Sequence, residues 1–193
     1  MDARFQSRRV SESWLDGARA RPIAAAATVA AILGAATILG AWFFQYVIGL
    51  KPCPLCLEQR YVYYFGIPLA AMVLLGEGVG AQRKVLLAGL IVIALGMIAN
   101  AGLATYHAGI EWHWWPGPPE CSGPLESLHS TGGLLQDLQQ KSISVVRCDE
   151  AAWRFLGLSL AGYDALISLA IAAVAAWGAW MGWKQPRSGI SSQ

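Results

Sequence analysis

The sequence carries little charge. Only 13% of its 193 residues are Asp, Glu, Lys or Arg, whereas 55% are hydrophobic. Soluble domains carry about 25% charged residues, so this composition argues against a soluble fold. The chain also has no internal repeat, no phosphate-binding loop and no glycine-rich dinucleotide motif, and nothing in it indicates a nucleic-acid partner. The composition therefore suggests a membrane protein, and the lengths of the apolar runs show whether they can span a bilayer.

Three runs with at most one charge are each longer than the roughly 20 residues that cross a bilayer. They span residues 23–50, 85–106 and 156–183. A shorter run, residues 61–75, becomes long enough if its helix starts near Leu57 and Arg60 extends to the interface. The sequence therefore predicts an all-α membrane protein, a four-transmembrane-helix bundle with a long loop between helices three and four. Asp164, in the last run, is expected to reach water.

The distribution of basic residues predicts the orientation. Nine of the 14 Lys and Arg residues lie before the first run, between the second and third, or after the fourth. Because basic residues favour the cytoplasmic side, both termini are expected there. The predicted parts are a cytoplasmic segment 1–21, a membrane domain 22–183 that includes an outer loop 109–155, and a cytoplasmic tail 184–193. All the cysteines then lie on the outer side, where disulfides persist.

The four cysteines allow three pairings. Cys53 and Cys56 form a Cys-x-x-Cys motif before the second span, a local pair typical of thiol–disulfide exchange. Cys121 and Cys148 lie 27 positions apart in the outer loop, and a bond between them would suit either exchange or a structural clamp. Zinc is a further alternative, but the loop cysteines form no second Cys-x-x-Cys and the three histidines show no regular ligand spacing.

A basic residue follows the motif closely. Pro52 and Pro54 interrupt the helix, so the cysteines are expected in a tight loop. Arg60 lies four residues after Cys56, and a cation in a first helical turn opposes the helix dipole and is costly near lipid. A Cys56 thiolate would offset that cost. Extension to the interface or an ion pair with Glu58 would also explain the arginine.

With these residues in hand, the chain resembles the DsbB family of bacterial inner-membrane disulfide-bond formation proteins. The resemblance covers nearly the whole chain from the first helix to the last. It rests on Lys-Pro-Cys-Pro-Leu-Cys followed by Arg60, on Tyr106-His107, on Cys121, and on the segment from Cys148 to Leu158. One departure is Gln59, which stands where some family members carry an acidic residue, and Glu58 lies one position earlier.

The resemblance implies a quinone-dependent protein-disulfide oxidoreductase of the bacterial inner membrane, with its cysteines on the periplasmic side. Such proteins reoxidise a periplasmic thioredoxin-fold dithiol oxidase of the DsbA type. They pass two electrons to a membrane quinone, ubiquinone or menaquinone. The resemblance also places His107 near the quinone.

The roles of the other site residues are carried over by position. Cys121 would be attacked by the partner's thiolate, with Cys148 as its redox mate. Cys53 would then exchange with this loop pair and leave Cys56 as the thiolate that faces the quinone. Arg60 would stabilise that thiolate and polarise a quinone carbonyl.

Two other classes remain as alternatives. A vitamin-K-epoxide-reductase-like enzyme also couples loop cysteines to a quinone, but its loop pair precedes the Cys-x-x-Cys motif, the reverse of the order here. A noncatalytic membrane protein with two structural disulfides would use the same cysteines for stability alone.

Overall fold

The fold is helical in the computed structural model, which describes residues 16–17, 19–118 and 148–185. Its long helices are α1 Pro22–Trp42, α2 Pro54–Gly78, α3 Arg83–Glu111 and α4 Leu160–Lys184. A π-helical turn, Phe43–Val47, continues α1, and two short antiparallel strands, β1 Arg154–Phe155 and β2 Leu158–Ser159, precede α4. All four helices are long and apolar enough to cross a membrane. This confirms the predicted four-helix, multi-pass membrane fold.

The helix boundaries differ from the expected ones in physically informative ways. α2 begins at Pro54, so Cys56 lies on the helix and not in the expected loop. Proline suits a first helical position because its missing N–H would have no partner there. α4 begins later than expected, at Leu160, because Leu156 and Gly157 have positive φ angles of 49° and 84°. Two successive positive φ angles form the tight turn of the β1–β2 hairpin.

The described residues divide into two compact units. The first unit holds the start of α1, α2 from Tyr64 onward, α3 up to Ile98 and α4 from Leu169 onward. The second unit holds Ala36–Tyr63 and the described part of Ala99–Ser168. Every candidate functional residue that the structure describes falls in the second unit.

Small residues allow close helix contacts in the first unit. A Cβ atom built on Gly178 of α4 would lie 2.2 Å from the Cβ of Ala26 on α1. A Cβ on Gly89 of α3 would lie 2.5 Å from Val73 on α2. Membrane helices pack through such small side chains because lipid gives them no hydrophobic driving force for association.

Candidate active site

Cys53 occupies the capping position at the start of α2. The backbone N–H of Leu57 donates to the Cys53 carbonyl at 3.2 Å, the first bond of the helix. The backbone N–H of Cys56 donates to the Cys53 sulfur, also at 3.2 Å. The sulfur therefore does what a Ser or Asp oxygen does at other helix starts. Negative charge on this atom is stabilised by the helix N-terminus.

The two sulfurs of the motif form a close, unbonded pair. Both cysteines are free thiols, and their Sγ atoms form a hydrogen bond 2.7 Å long. This hydrogen bond lowers the pKa of Cys53 to about 5, against burial, and His107 contributes in the same direction. In the reduced pair the thiolate is therefore Cys53. The thiolate role that the family resemblance assigns to Cys56 belongs to a different state, in which Cys53 is bonded elsewhere.

The distances between these sulfur atoms and His107 can be compared with those of a zinc site. Cys53, Cys56 and His107 bring three ligand atoms within 4.8 Å of one another. Two thiolates bound to one tetrahedral zinc at about 2.3 Å would lie about 3.8 Å apart. The sulfur separation of 2.7 Å is much shorter than that, and the described residues offer three ligands where a structural zinc takes four.

His107 reaches the dithiol from α3. Its Nε2 atom lies 3.6 Å from the Cys53 sulfur, and its Nδ1 atom lies 3.1 Å from the Gln59 amide nitrogen on α2. Glu111 follows one helical turn later, with Oε1 3.9 Å from Nε2 of the ring. The sequence had singled out His107 but neither Gln59 nor Glu111 as members of this site. The missed signal was the i, i+4 spacing of His107 and Glu111, hidden because the expected helix ended before Glu111.

Arg60 lies on α2, but its hydrogen bond is to a residue outside the Cys53–Cys56 motif. Its Nη1 atom donates to Oε1 of Gln45, in the π-helical turn after α1, at 2.5 Å. Among the described residues it makes no hydrogen bond to a cysteine sulfur and no ion pair with the exposed Glu58. The role of Arg60 at the Cys56 thiolate therefore stays a prediction, and Gln45 is an additional residue of this site.

The loop cysteine that the structure describes lies beside the dithiol. Cys148 is only 1% exposed and packs in one buried cluster with Cys53, Leu55 and Ile110, against which Cys56 also packs. Cys148 takes part in a disulfide. Its predicted redox mate, Cys121, lies outside the described residues, as does most of the predicted outer loop.

The segment after Cys148 is held against the end of α3. Arg154 donates from Nη2 to the backbone carbonyl of Glu111 at 3.1 Å. Ser159 caps α4, accepting a hydrogen bond from the backbone N–H of Gly162 at 3.2 Å. These contacts fix the chain between Cys148 and α4 relative to the helix that carries His107.

A second group of buried polar side chains, the polar cluster, joins α2, α3 and α4. Tyr63 donates to Asp164 at 2.5 Å, and Asn100 donates to the other carboxylate oxygen at 3.1 Å. Tyr63 and Asn100 also contact the Ser168 hydroxyl, each at 2.9 Å. Asp164 is half-buried and has two protein partners beyond the water that it was expected to reach. A carboxylate within a membrane span needs such partners because lipid supplies none.

Taken together, four apolar spans, a dithiol with its Cys53 sulfur buried and an adjoining disulfide define a membrane thiol–disulfide oxidoreductase. Comparison with known sequences narrows the class to one family. The family described as disulfide bond formation protein DsbB matches residues 23–178. The chain belongs to the DsbB family and is a membrane disulfide bond formation protein.

Individual relatives agree with this assignment. The chain is similar to the disulfide bond formation protein B of a Polaromonas species, with 31% identity over 135 residues, covering 67% of this chain and 74% of the relative. It is 32% identical to the protein of that name from Aromatoleum aromaticum, over 68% of this chain and 76% of the relative. No solved structure gives a significant match.

Proposed function

We propose that this protein reoxidises a periplasmic thioredoxin-fold dithiol oxidase of the DsbA type and passes the two electrons to a membrane quinone. Family membership supports the disulfide-forming part of this activity. The observation that supports electron transfer between two cysteine pairs is the packing of disulfide-bonded Cys148 against Cys53 and Cys56 in one buried cluster. Two redox pairs in contact can pass electrons by thiol–disulfide exchange, since a thiolate needs only access to a neighbouring disulfide sulfur.

Each cysteine pair takes part in one stage of the proposed electron transfer. The partner loses two electrons and two protons as its dithiol becomes a disulfide, with Cys121 as the residue that it attacks. Exchange through Cys148 then reduces the Cys53–Cys56 disulfide to the dithiol seen in the structure. A quinone supplies the final acceptor, because it takes up two electrons and two protons. The stabilised thiolate of Cys53 is the form in which the reduced pair can donate electrons.

The side chains around the dithiol fit a quinone. Arg60 is half-buried within the α2 span, and its hydrogen bond to Gln45 uses one of its five N–H donors. The remaining donors suit a quinone carbonyl oxygen, which only accepts hydrogen bonds. Leu57 and Tyr61 of the same helix are exposed apolar side chains, 43% and 68% accessible, that suit contact with lipid and an isoprenoid tail. His107 would lie on the dithiol side of the headgroup.

The proposed orientation places both termini in the cytoplasm and the cysteines on the periplasmic side of the bacterial inner membrane. An even number of spans puts the start of α1 and the end of α4 on one side. Gln185, just after α4, donates to the carbonyls of Arg19 and Ala20, just before α1, at 3.2 and 3.1 Å. Basic residues such as Arg83 and Lys84, at the start of α3, support a cytoplasmic assignment of this side.

The proposal is tested with the full-length protein in detergent, a reduced DsbA-type partner and a short-chain ubiquinone. Quinone absorbance and the remaining partner thiols are followed together. The intact protein should oxidise the partner and reduce the quinone, while Cys148→Ser should lose this coupled reaction. A small dithiol given in place of the partner should still drive quinone reduction through Cys148→Ser, because that variant keeps the membrane-side pair.

Cys56→Ser is the matched variant for the second stage. It should lose quinone reduction with either electron donor, since its membrane-side pair cannot close a disulfide. No partner oxidation by the intact protein, with quinone present, would overturn the proposal. A noncatalytic scaffold would instead show lower thermal stability in both variants and no activity in the parent protein.

A further inference from the structure

Buried polar side chains lie next to Cys53 of the dithiol. Cys53, His107, Gln59 and Glu111 are 3%, 2%, 5% and 6% exposed, respectively. Three of the four lie within the α2 and α3 spans, where polar groups are costly and commonly serve function. The proposed function gives roles to Cys53 and His107 but none to Gln59.

The two nitrogens of the His107 ring are not equivalent in this setting. A neutral imidazole has one N–H donor and one acceptor nitrogen. The atom facing Nδ1 is the amide nitrogen of Gln59, at 3.1 Å, and an amide nitrogen carries only donors. Nδ1 is therefore the acceptor, and the proton of the neutral ring belongs on Nε2.

The surroundings of Nε2 lead independently to the same conclusion. This nitrogen faces the Cys53 sulfur at 3.6 Å and Oε1 of Glu111 at 3.9 Å. A thiolate and a carboxylate both accept hydrogen bonds and cannot donate one. An Nε2–H group suits either of them, whereas a bare lone pair on Nε2 would be repelled by both. Both sides of the ring thus favour the same tautomer.

We propose that Gln59 is a positioning residue that holds His107 in the tautomer protonated at Nε2, so that the ring serves the Cys53 thiolate as a hydrogen-bond donor. In this arrangement His107 does not act as a base that removes the thiol proton. The importance of this tautomer for turnover rests on the proposed function. Its existence in the reduced protein does not, because no partner or quinone takes part in it.

Other charged groups around the ring act on its net charge, whereas the choice between its two neutral tautomers depends on the hydrogen-bond partners of each nitrogen. Asp164 on α4 and Glu111 on α3 both act electrostatically on His107, as does Cys53 from the start of α2. Each of these is an anion or an acceptor. Arg154, before α4, acts on the Glu111 side of the site. None of these groups supplies a competing hydrogen-bond partner for Nδ1 among the described residues.

Nitrogen NMR of the histidine ring tests the tautomer directly. The reduced full-length protein is labelled with nitrogen-15 histidine, held in detergent and measured at rising pH until the ring is neutral, where protonated and unprotonated ring nitrogens give separate signals. His107→Asn identifies the signals by their loss. The expected spectrum has a protonated Nε2 and an unprotonated Nδ1. A protonated Nδ1 in the parent protein overturns the proposal, and this result needs no variant at position 59.

Substitution of Gln59 tests its part in setting the tautomer. In Gln59→Glu a carboxylate would face Nδ1, and because a carboxylate only accepts hydrogen bonds, the Nδ1 signal should shift to the protonated position. Gln45→Glu is the matched control, since it makes the same change at a residue that contacts Arg60 and not His107. An unshifted Nδ1 signal in Gln59→Glu, or the same shift in Gln45→Glu, contradicts the assignment.

The two proposals fail in distinguishable ways. If the parent protein shows the expected ring nitrogens but does not oxidise the partner, the proposed function is wrong and the tautomer stands. If it oxidises the partner and reduces quinone with Nδ1 protonated, the function stands and the role of Gln59 is wrong.

Discussion

The hydrogen bond between Cys53 and Cys56 leads to a quantitative prediction for the variant Cys56→Ala. The pKa of Cys53 falls from an ordinary value of 9.0 to about 5, and the Cys56 thiol is the largest cause. One hydrogen bond to a charged group stabilises that group by about 1.5–3 kcal/mol, or roughly 10- to 150-fold in the thiolate-to-thiol ratio.

The assay is the pH dependence of Cys53 alkylation in the reduced protein, resolved from the other cysteines by peptide mass spectrometry. Because the pKa is depressed, the parent protein should react at a constant rate above the midpoint and more slowly as the pH falls through about 5. Cys56→Ala should move the midpoint upward by about 1 to 2 pH units. The His107 and helix N-terminus contributions remain, so the midpoint should stay below 9.0.

Cys56→Ser is the control for this experiment, because its hydroxyl keeps a donor beside the Cys53 sulfur. Its midpoint should lie closer to that of the parent protein than to that of Cys56→Ala. Equal midpoints in the parent protein and Cys56→Ala would refute the reasoning. So would equal midpoints in the alanine and serine variants, since the donor would then have no effect.

Two further predictions concern stability and are measured by thermal unfolding in detergent. Gly109→Ala should destabilise the protein by about 1–3 kcal/mol, because its Cβ would lie 2.0 Å from the ring of Trp115. Gly102→Ala, whose Cβ would meet nothing within 4 Å, is the control, and equal effects would contradict the packing. Tyr63→Phe should cost about 1–3 kcal/mol by removing a donor from the polar cluster. Tyr61→Phe, at a residue 68% exposed, should change stability little, and a larger loss there would contradict this.

The membrane class could be predicted from the sequence because it depends on run length alone. An uncharged run such as residues 23–50 has no alternative to burial in lipid or in a core too large for this chain. The start of α2 was also encoded locally, by Pro54 at a position that suits proline. Pro52 and Pro54 look alike in the sequence as helix interruptions, and this similarity hides the capping role of Cys53.

The inner polar residues could not be predicted in the same way. Glu111 lies beyond the apolar run 85–106 and within the predicted outer loop 109–155, although α3 continues to it and buries it. The polar cluster brings Tyr63, Asn100 and Asp164 together from three helices. Which helix faces meet depends on packing between distant segments, and the helices carry almost no hydrophobic asymmetry that would indicate their inward faces.

The central claim, a relay of two electrons from a partner dithiol through Cys148 and the Cys53–Cys56 pair to quinone, is tested most directly by stoichiometry. Under anaerobic conditions, a reduced DsbA-type partner and a short-chain ubiquinone are mixed with a catalytic amount of the intact protein. Partner disulfides formed and quinol produced are then counted in the same sample. The account predicts one quinol for each disulfide, and none in Cys56→Ser. Partner oxidation without quinol, or equal quinol production in Cys56→Ser, would contradict it.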